Sequence, residues 1–253
     1  MSDVDRIDLD RPRSVGEILT ATLLLYRRYP LLFAILALGV MAPYELAVLA
    51  ITGYGPLAHS ESVGISYLLL LIRAVLITPL ISALHMHAVV SIGDGRKPRL
   101  GSVVLRGVQV LPVVAAAAVM SSLGIALGYV ALIVPGILLG LRWAVVAQAA
   151  ALEHEGWLGA LRGSGRLTHG HYWHVFGLIL VAGALAVAVR LGFGAIALGS
   201  TSGVASVSVG IAVDTFVASF AALTLAMLYF DLRFRLTAPE RSSPEYQHLR
   251  DLD

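Results

Sequence analysis

The sequence predicts an all-α, polytopic helical membrane protein with six transmembrane helices and amphipathic helices at one interface. Three observations carry this. First, 58% of the 253 residues are hydrophobic and 13% charged, against roughly 25% charged in soluble domains. Second, six apolar stretches each reach the ~20 residues that a helix needs to cross the bilayer hydrocarbon. Third, basic residues fall in alternate connecting segments and are missing from those between.

The elements follow in chain order. Residues 1–13 form a mixed-charge N-terminal segment. "SVGEILTATLLLYRRYP" then opens a helix, with Ser14 and Glu17 in capping-box spacing. Val15, Ile18, Leu19, Thr22, Leu23 and Tyr26 fall on one face, and Arg27 and Arg28 sit where the helix dipole favours cations. Such a helix suits the membrane interface. The spans are expected at 31–52, 63–92, 108–133, 136–153, 173–198 and 204–230. "IVPGI" divides the third from the fourth, with Pro135 and Gly136 as the turn. Shorter amphipathic lead-ins, "RLGSVVLRGVQVLP" and "GWLGALRGSGRLTHGHYW", precede the third and fifth spans. The chain thus reads as three units, each an interfacial helix and a two-span hairpin. The alternative is that any bundle needs basic connectors. The membrane domain is expected over 14–236, with a polar tail at 237–253 in which Ser243 and Pro244 suit the start of a short helix.

Arg and Lys are absent from 53–62, 133–136 and 199–203. They occupy the N-terminal segment, the 93–107 loop, the 154–172 loop and the tail, the single lysine being Lys97. The positive-inside bias then places both termini in the cytoplasm. The first 13 residues do not read as a signal peptide, so a cytoplasmic (inner) membrane location follows. With no cysteine, disulfides, thiol nucleophiles and thiolate metal sites are excluded.

Five ionisable residues fall inside the spans: Glu45, Arg73, Arg142, Arg190 and Asp214. Counted from the outer helix ends, their depths are about 10, 15, 9, 12 and 15 Å. All five therefore fall in the outer half. Ser206, Gly210, Asp214, Ala218, Ala222 and Ala226 recur every four residues, a small-residue stripe that turns Asp214 into the bundle. Gly183, Ala186, Arg190, Gly194 and Ala197 do the same for Arg190. Insertion of an isolated charge costs roughly 2.5–3.5 kcal/mol on translocon scales. Pairing of Glu45 with Arg73 and of Asp214 with Arg190 is therefore expected, leaving Arg142 to snorkel, to stack on Trp143 or to meet an anion. Two readings stay open: charges that lock the bundle, or a polar vestibule with three cations against two anions that takes an anionic ligand.

The remaining constellations are weak. His85, His87, His154, His169, His171 and His174 gather on the basic side without a ligand spacing such as H-E-x-x-H. No metal site and no cofactor is expected. Tyr172 and Trp173 suit an aromatic belt. No Walker loop, nucleophile elbow or nucleophile–base pair is present, so no enzyme activity and no catalytic residues are assigned.

"RSVGEILTATLLLYRRYPLL", "VPGILLGLRW", "ALEHEG" and "GALRGSGRLTHGHYWHVFGL" together resemble the membrane domain fused to bacterial glycerophosphoryl diester phosphodiesterases and its stand-alone relatives. Glu153, Gly156, Ala160, Leu161, Ser164, Leu167, Gly170, Trp173, Phe176 and Gly177 fit that pattern. The resemblance implies a multi-span helical domain near lipid or envelope metabolism. The phosphodiesterase barrel is absent, so its chemistry is not carried over. The expected function is that of an accessory or scaffold protein binding an anionic lipid or amphiphile, with a transporter as the alternative. Its expected partners are membrane lipids and a further membrane protein, with no nucleic acid.

Overall fold

A computed structural model describes residues 11–53, 63–153, 155–198 and 203–241. The segments expected as loops at 54–62 and 199–202, together with His154, the first ten residues, the side chain of Ala197 and the tail from 242, lie outside the described set.

The protein is an all-α, multi-pass membrane protein. Among the described residues there are ten α-helices: α1 (Val15–Arg28), α2 (Pro30–Thr52), α3 (Val63–Ile72), α4 (Thr78–Gly93), α5 (Leu100–Ala131), α6 (Ile133–Arg142), α7 (Val146–Leu152), α8 (Gly156–Thr168), α9 (Tyr172–Leu198) and α10 (Gly203–Arg241). A five-residue π-helical turn, Arg73–Ile77, joins α3 to α4. Six helical segments are long and apolar enough to span a membrane. α10 is the central one, packed against α9, α2, α4 and α1. Of its apolar window 67% is buried, against 11% for α9, so α9 stands at the rim.

Both described ends of the chain meet at one end of the bundle, here the terminal end. The Arg13 N–H donates to Asp231 Oδ1 at 2.6 Å, and Arg235 Nη2 donates to the Arg13 carbonyl at 2.8 Å. α1 begins with the capping box read from the sequence: the Ser14 hydroxyl accepts from the Glu17 N–H and Glu17 bonds back to the Ser14 N–H. That backbone bond, then the hydroxyl, holds the Glu17 carboxyl below its ordinary value. The cap is therefore complete at neutral pH and is lost as pH falls through the depressed value. The buried stripe of α1 is Ile18, Thr22 and Leu25, at i, i+4 and i+7, and Leu23 is exposed. α1 runs alongside α10: Arg13 meets Asp231, and the Tyr26 ring packs edge-on to Phe216 at 5.4 Å.

Other boundaries differ from the sequence reading for local reasons. The lead-in to the third span is continuous with α5, and Pro112 sits inside that helix. The α5–α6 break falls at Leu132, whose backbone is extended (φ −167°, ψ 151°). Pro135 and Gly136 lie in the first turn of α6 instead of forming the connection. A first-turn proline gives up no helical hydrogen bond. The two helices then approach closely: a Cβ on Gly128 would stand 2.9 Å from the Gly136 Cα. The last helix continues past the expected 230 to Arg241.

Gly128→Ala is expected to destabilise the protein by about 1–3 kcal/mol, since backbone must move to admit the methyl. Gly39→Ala, where a Cβ meets nothing within 4 Å, is expected to be neutral or slightly stabilising. Thermal unfolding of the two variants in detergent checks this; equal melting points would refute the close-approach assignment.

Candidate functional site

Four of the five intramembrane charges come together. Arg73 Nη1 donates to Glu45 Oε1 at 3.1 Å, and Arg73 Nη2 lies 2.8 Å from Asp214 Oδ2. Arg190 Nη2 lies 2.7 Å from Asp214 Oδ1, an ion pair outside aligned hydrogen-bond geometry. Both expected pairs form, and the Arg73–Asp214 contact joins them into one chain, Glu45–Arg73–Asp214–Arg190. It ties α2, the π turn, α10 and α9.

Local sequence explains each placement. Glu45 is on the buried stripe of α2, with Phe33, Ala37 and Met41 at four-residue intervals. Asp214 sits among buried positions of α10, with Gly210, Ala222 and Ala226 on its stripe. Arg73 opens the π turn, where the Thr78 N–H reaches back to the Arg73 carbonyl. Pro79 follows, and its ring and missing N–H disfavour an ordinary α turn before it. Widened turns of this kind are enriched at functional positions. The Arg73 guanidinium also lies 5.9 Å from the centre of the Tyr44 ring.

Exposure divides the cluster by sign. The side chains of Glu45 and Asp214 are 2% and 1% exposed, those of Arg73 and Arg190 25% and 41%. The cluster balances two cations against two anions, yet the face it presents is guanidinium.

Arg142 is the departure from the expected set. It ends α6, and the turn Trp143–Val145 interrupts the fourth span. Its carbonyl, deprived of a helical donor, accepts from the Ser164 and Thr168 hydroxyls of α8, both at 3.0 Å. Its exposed side chain lies over Gly165, where a Cβ would stand 3.0 Å from Nε. Ala144, two residues on, faces Val217 to Leu225 of α10, toward the terminal end from Asp214. No ion pair joins Arg142 to the other four among the described residues. The Trp143 ring packs on Gly124 instead of on Arg142. The expected excess of three cations over two anions therefore does not arise.

A second cluster escaped the sequence reading. Asp231, fully buried, accepts from the Arg13 N–H and from Arg235 Nε at 2.9 Å, with His174 Nε2 at 3.1 Å. It lies just past the expected end of the sixth span, and no pattern in the sequence singles it out. The Tyr229 hydroxyl donates to Glu153 Oε1 nearby, at 3.0 Å. Deeper in, His85 bonds the Ile81 carbonyl and the Ser219 hydroxyl, both at 2.8 Å, and stacks on Phe33. Among the described residues, no three of His, Asp or Glu converge as a metal site.

Between α9 and α10 lies an open groove of about 280 Å³. Ala182, Gly183 and Ala186 line it from α9, and Val217, Phe220 and Leu225 from α10. The two helices are antiparallel and pinned at both ends, by Arg190–Asp214 and by His174–Asp231. Sixteen residues separate the pins on α9 (190 − 174) and seventeen on α10 (231 − 214), about 24 and 25 Å of rise. The small side chains of α9 leave the space between them.

No protein-family model matches the chain, and neither a curated protein nor a solved structure matches it.

Asp214→Ala strips both arginines of their shared partner and is expected to cost about 3–5 kcal/mol, the range for breaking a buried ion pair. Arg190→Ala, which removes a more exposed side chain, is expected to cost about 1 kcal/mol or less. Unfolding midpoints of the two variants in one detergent decide it; the reverse order would contradict the central place of Asp214.

Proposed function

We propose that this protein is a non-enzymatic accessory or scaffold component of a bacterial inner membrane, with both termini in the cytoplasm, and that it holds an anionic lipid or amphiphile at the Arg73–Arg190 face. The observation that carries the reading is the asymmetry of exposure. Two carboxylates are withdrawn into the bundle, and the guanidiniums they hold turn outward. A guanidinium has five N–H donors, and the contact of Arg190 with Asp214 occupies few of them. What remains suits a phosphate or carboxylate group drawn to the cluster. The resemblance to the phosphodiesterase-linked membrane domain supports the same setting, near lipid metabolism, without supplying chemistry.

A transporter is the second reading. The interruptions at Arg73–Ile77 and Trp143–Val145 favour it, because discontinuous spans accompany substrate sites in many transporters.

Native mass spectrometry of the purified protein tests the first reading. Arg190→Gln is expected to cut retained anionic lipid, while Arg142→Ala, outside the cluster, leaves it unchanged. Retention equal in wild type and Arg190→Gln would end the proposal. Sided labelling tests the orientation, because the chain has no native cysteine. Cysteine at Ser102 is expected to react with an impermeant maleimide in inverted vesicles and to be protected in intact cells; the opposite result would invert the topology. Substrate flux in reconstituted vesicles, abolished by Arg73→Gln, would replace the accessory reading with the transporter.

A further inference from the structure

The function just proposed concerns a headgroup. The groove between α9 and α10 bears on what the headgroup is attached to. Along α9, Ala186 lies one turn from Arg190, and Ala182 and Gly183 lie a further turn toward the middle of the bundle. Along α10, Val217 lies one turn from Asp214, and Phe220 and Leu225 continue the same way. The lined stretch extends about 12 Å, from residue 186 to residue 178 at helical rise.

Its chemistry is almost wholly apolar. The one hydroxyl on its wall, Thr224 Oγ1, donates to the Phe220 carbonyl of its own helix at 2.9 Å. No wall group therefore calls for water. α9 is the least buried of the spans, so the groove lies at the rim of the bundle.

The groove offers about 280 Å³, which suits a single extended hydrocarbon chain. Charge fixes the direction. The exposed guanidinium of Arg190 stands one turn past the Ala186–Val217 end, and the His174–Asp231 pair lies past the Leu178–Leu225 end. A lipid with its headgroup held at Arg190 and its chain running toward the terminal end has this polarity.

We infer that the α9–α10 groove is an acyl-chain site for an anionic lipid whose headgroup is held at Arg190. The inference rests on the headgroup reading above and adds the chain and lateral entry past α9.

Gly183 gives a clean test. A Cβ there meets nothing within 4 Å and Gly183 lines the groove, so Gly183→Leu sets a side chain in the space an acyl chain would take. The full-length protein is delipidated, re-exposed to phosphatidylglycerol and to phosphatidylcholine of the same chains, and weighed by native mass spectrometry. Wild type is expected to retain phosphatidylglycerol in preference. Gly183→Leu is expected to lose both lipids by roughly tenfold, equivalent to about two methylenes denied burial. Gly183→Ala, with an unchanged melting point, is expected to stay near wild type. Arg190→Gln is expected to retain lipid without preference.

Full retention by Gly183→Leu overturns the chain site, and the headgroup reading then survives if Arg190→Gln still loses its preference. Unchanged preference in Arg190→Gln overturns the headgroup assignment and the function proposed above with it. A wild-type dimer that Gly183→Leu converts to monomer overturns the inference in favour of a second copy of this chain. Collapse of both Gly183 variants overturns it as well, because the position would then be packed.

Discussion

The bundle is arranged around two carboxylates of its central helix that have almost no contact with solvent. Asp214 and Asp231 sit on the central helix about 25 Å apart, both almost fully buried. A carboxylate withdrawn from water must be met by cations or donors. Asp214 draws in Arg73 and Arg190; Asp231 draws in Arg235, His174 and the Arg13 N–H. These partners come from the N-terminal segment, the second span, α9 and α10 itself. In a membrane, helices gain little from excluding water between them. Directional polar contacts therefore decide which helices become neighbours, and the acids of α10 set that choice at both ends.

The consequences reach the shape of α9. Fixed at its two ends, it has no need of tight packing between them. Ala182, Gly183 and Ala186 supply none, and Gly183 faces open space. The groove thus follows from two strong contacts and a run of small side chains. The fourth span shows the reverse order of cause. There the helix breaks, and α8 supplies the two hydroxyls that the freed Arg142 carbonyl requires. A position that looked like a displaced charge is chiefly a backbone device, with its guanidinium laid over a glycine.

Much of this was legible in the sequence because hydropathy and small-residue period act over many residues. Six spans, the capping box at Ser14 and Glu17, the inward turn of Asp214, and the pairs Glu45–Arg73 and Asp214–Arg190 all follow from such patterns. Phe33, Ala37, Met41 and Glu45 form a four-residue stripe that turns Glu45 inward as well. What the sequence withheld depends on single residues. Leu132, an apolar residue with no turn signature, makes the α5–α6 break. Asp231 lies among arginines past the expected end of the sixth span, and the packing of α1 along α10 is what buries it. Arg142 misled because depth along a helix says nothing of azimuth. Its helix also ends at that residue, so the period that would orient its side chain stops there.

The division of exposure within the outer cluster carries the functional argument further than its net charge does. Four charges that sum to nothing give only a weak field at a distance if they are equally placed. Here the anions are sealed by protein and the cations are not, so the field just outside the cluster is that of the nearer guanidiniums. The carboxylates still act, by fixing the arginines in position. A headgroup then meets donors already ordered, and less conformational freedom is lost on binding than free arginine side chains would lose. A stabilising role and a binding role are thus the same arrangement seen from inside and outside the bundle. Asp214 belongs chiefly to the first and Arg190 to the second, and the two are separable because Arg73 still reaches Asp214 when Arg190 is gone.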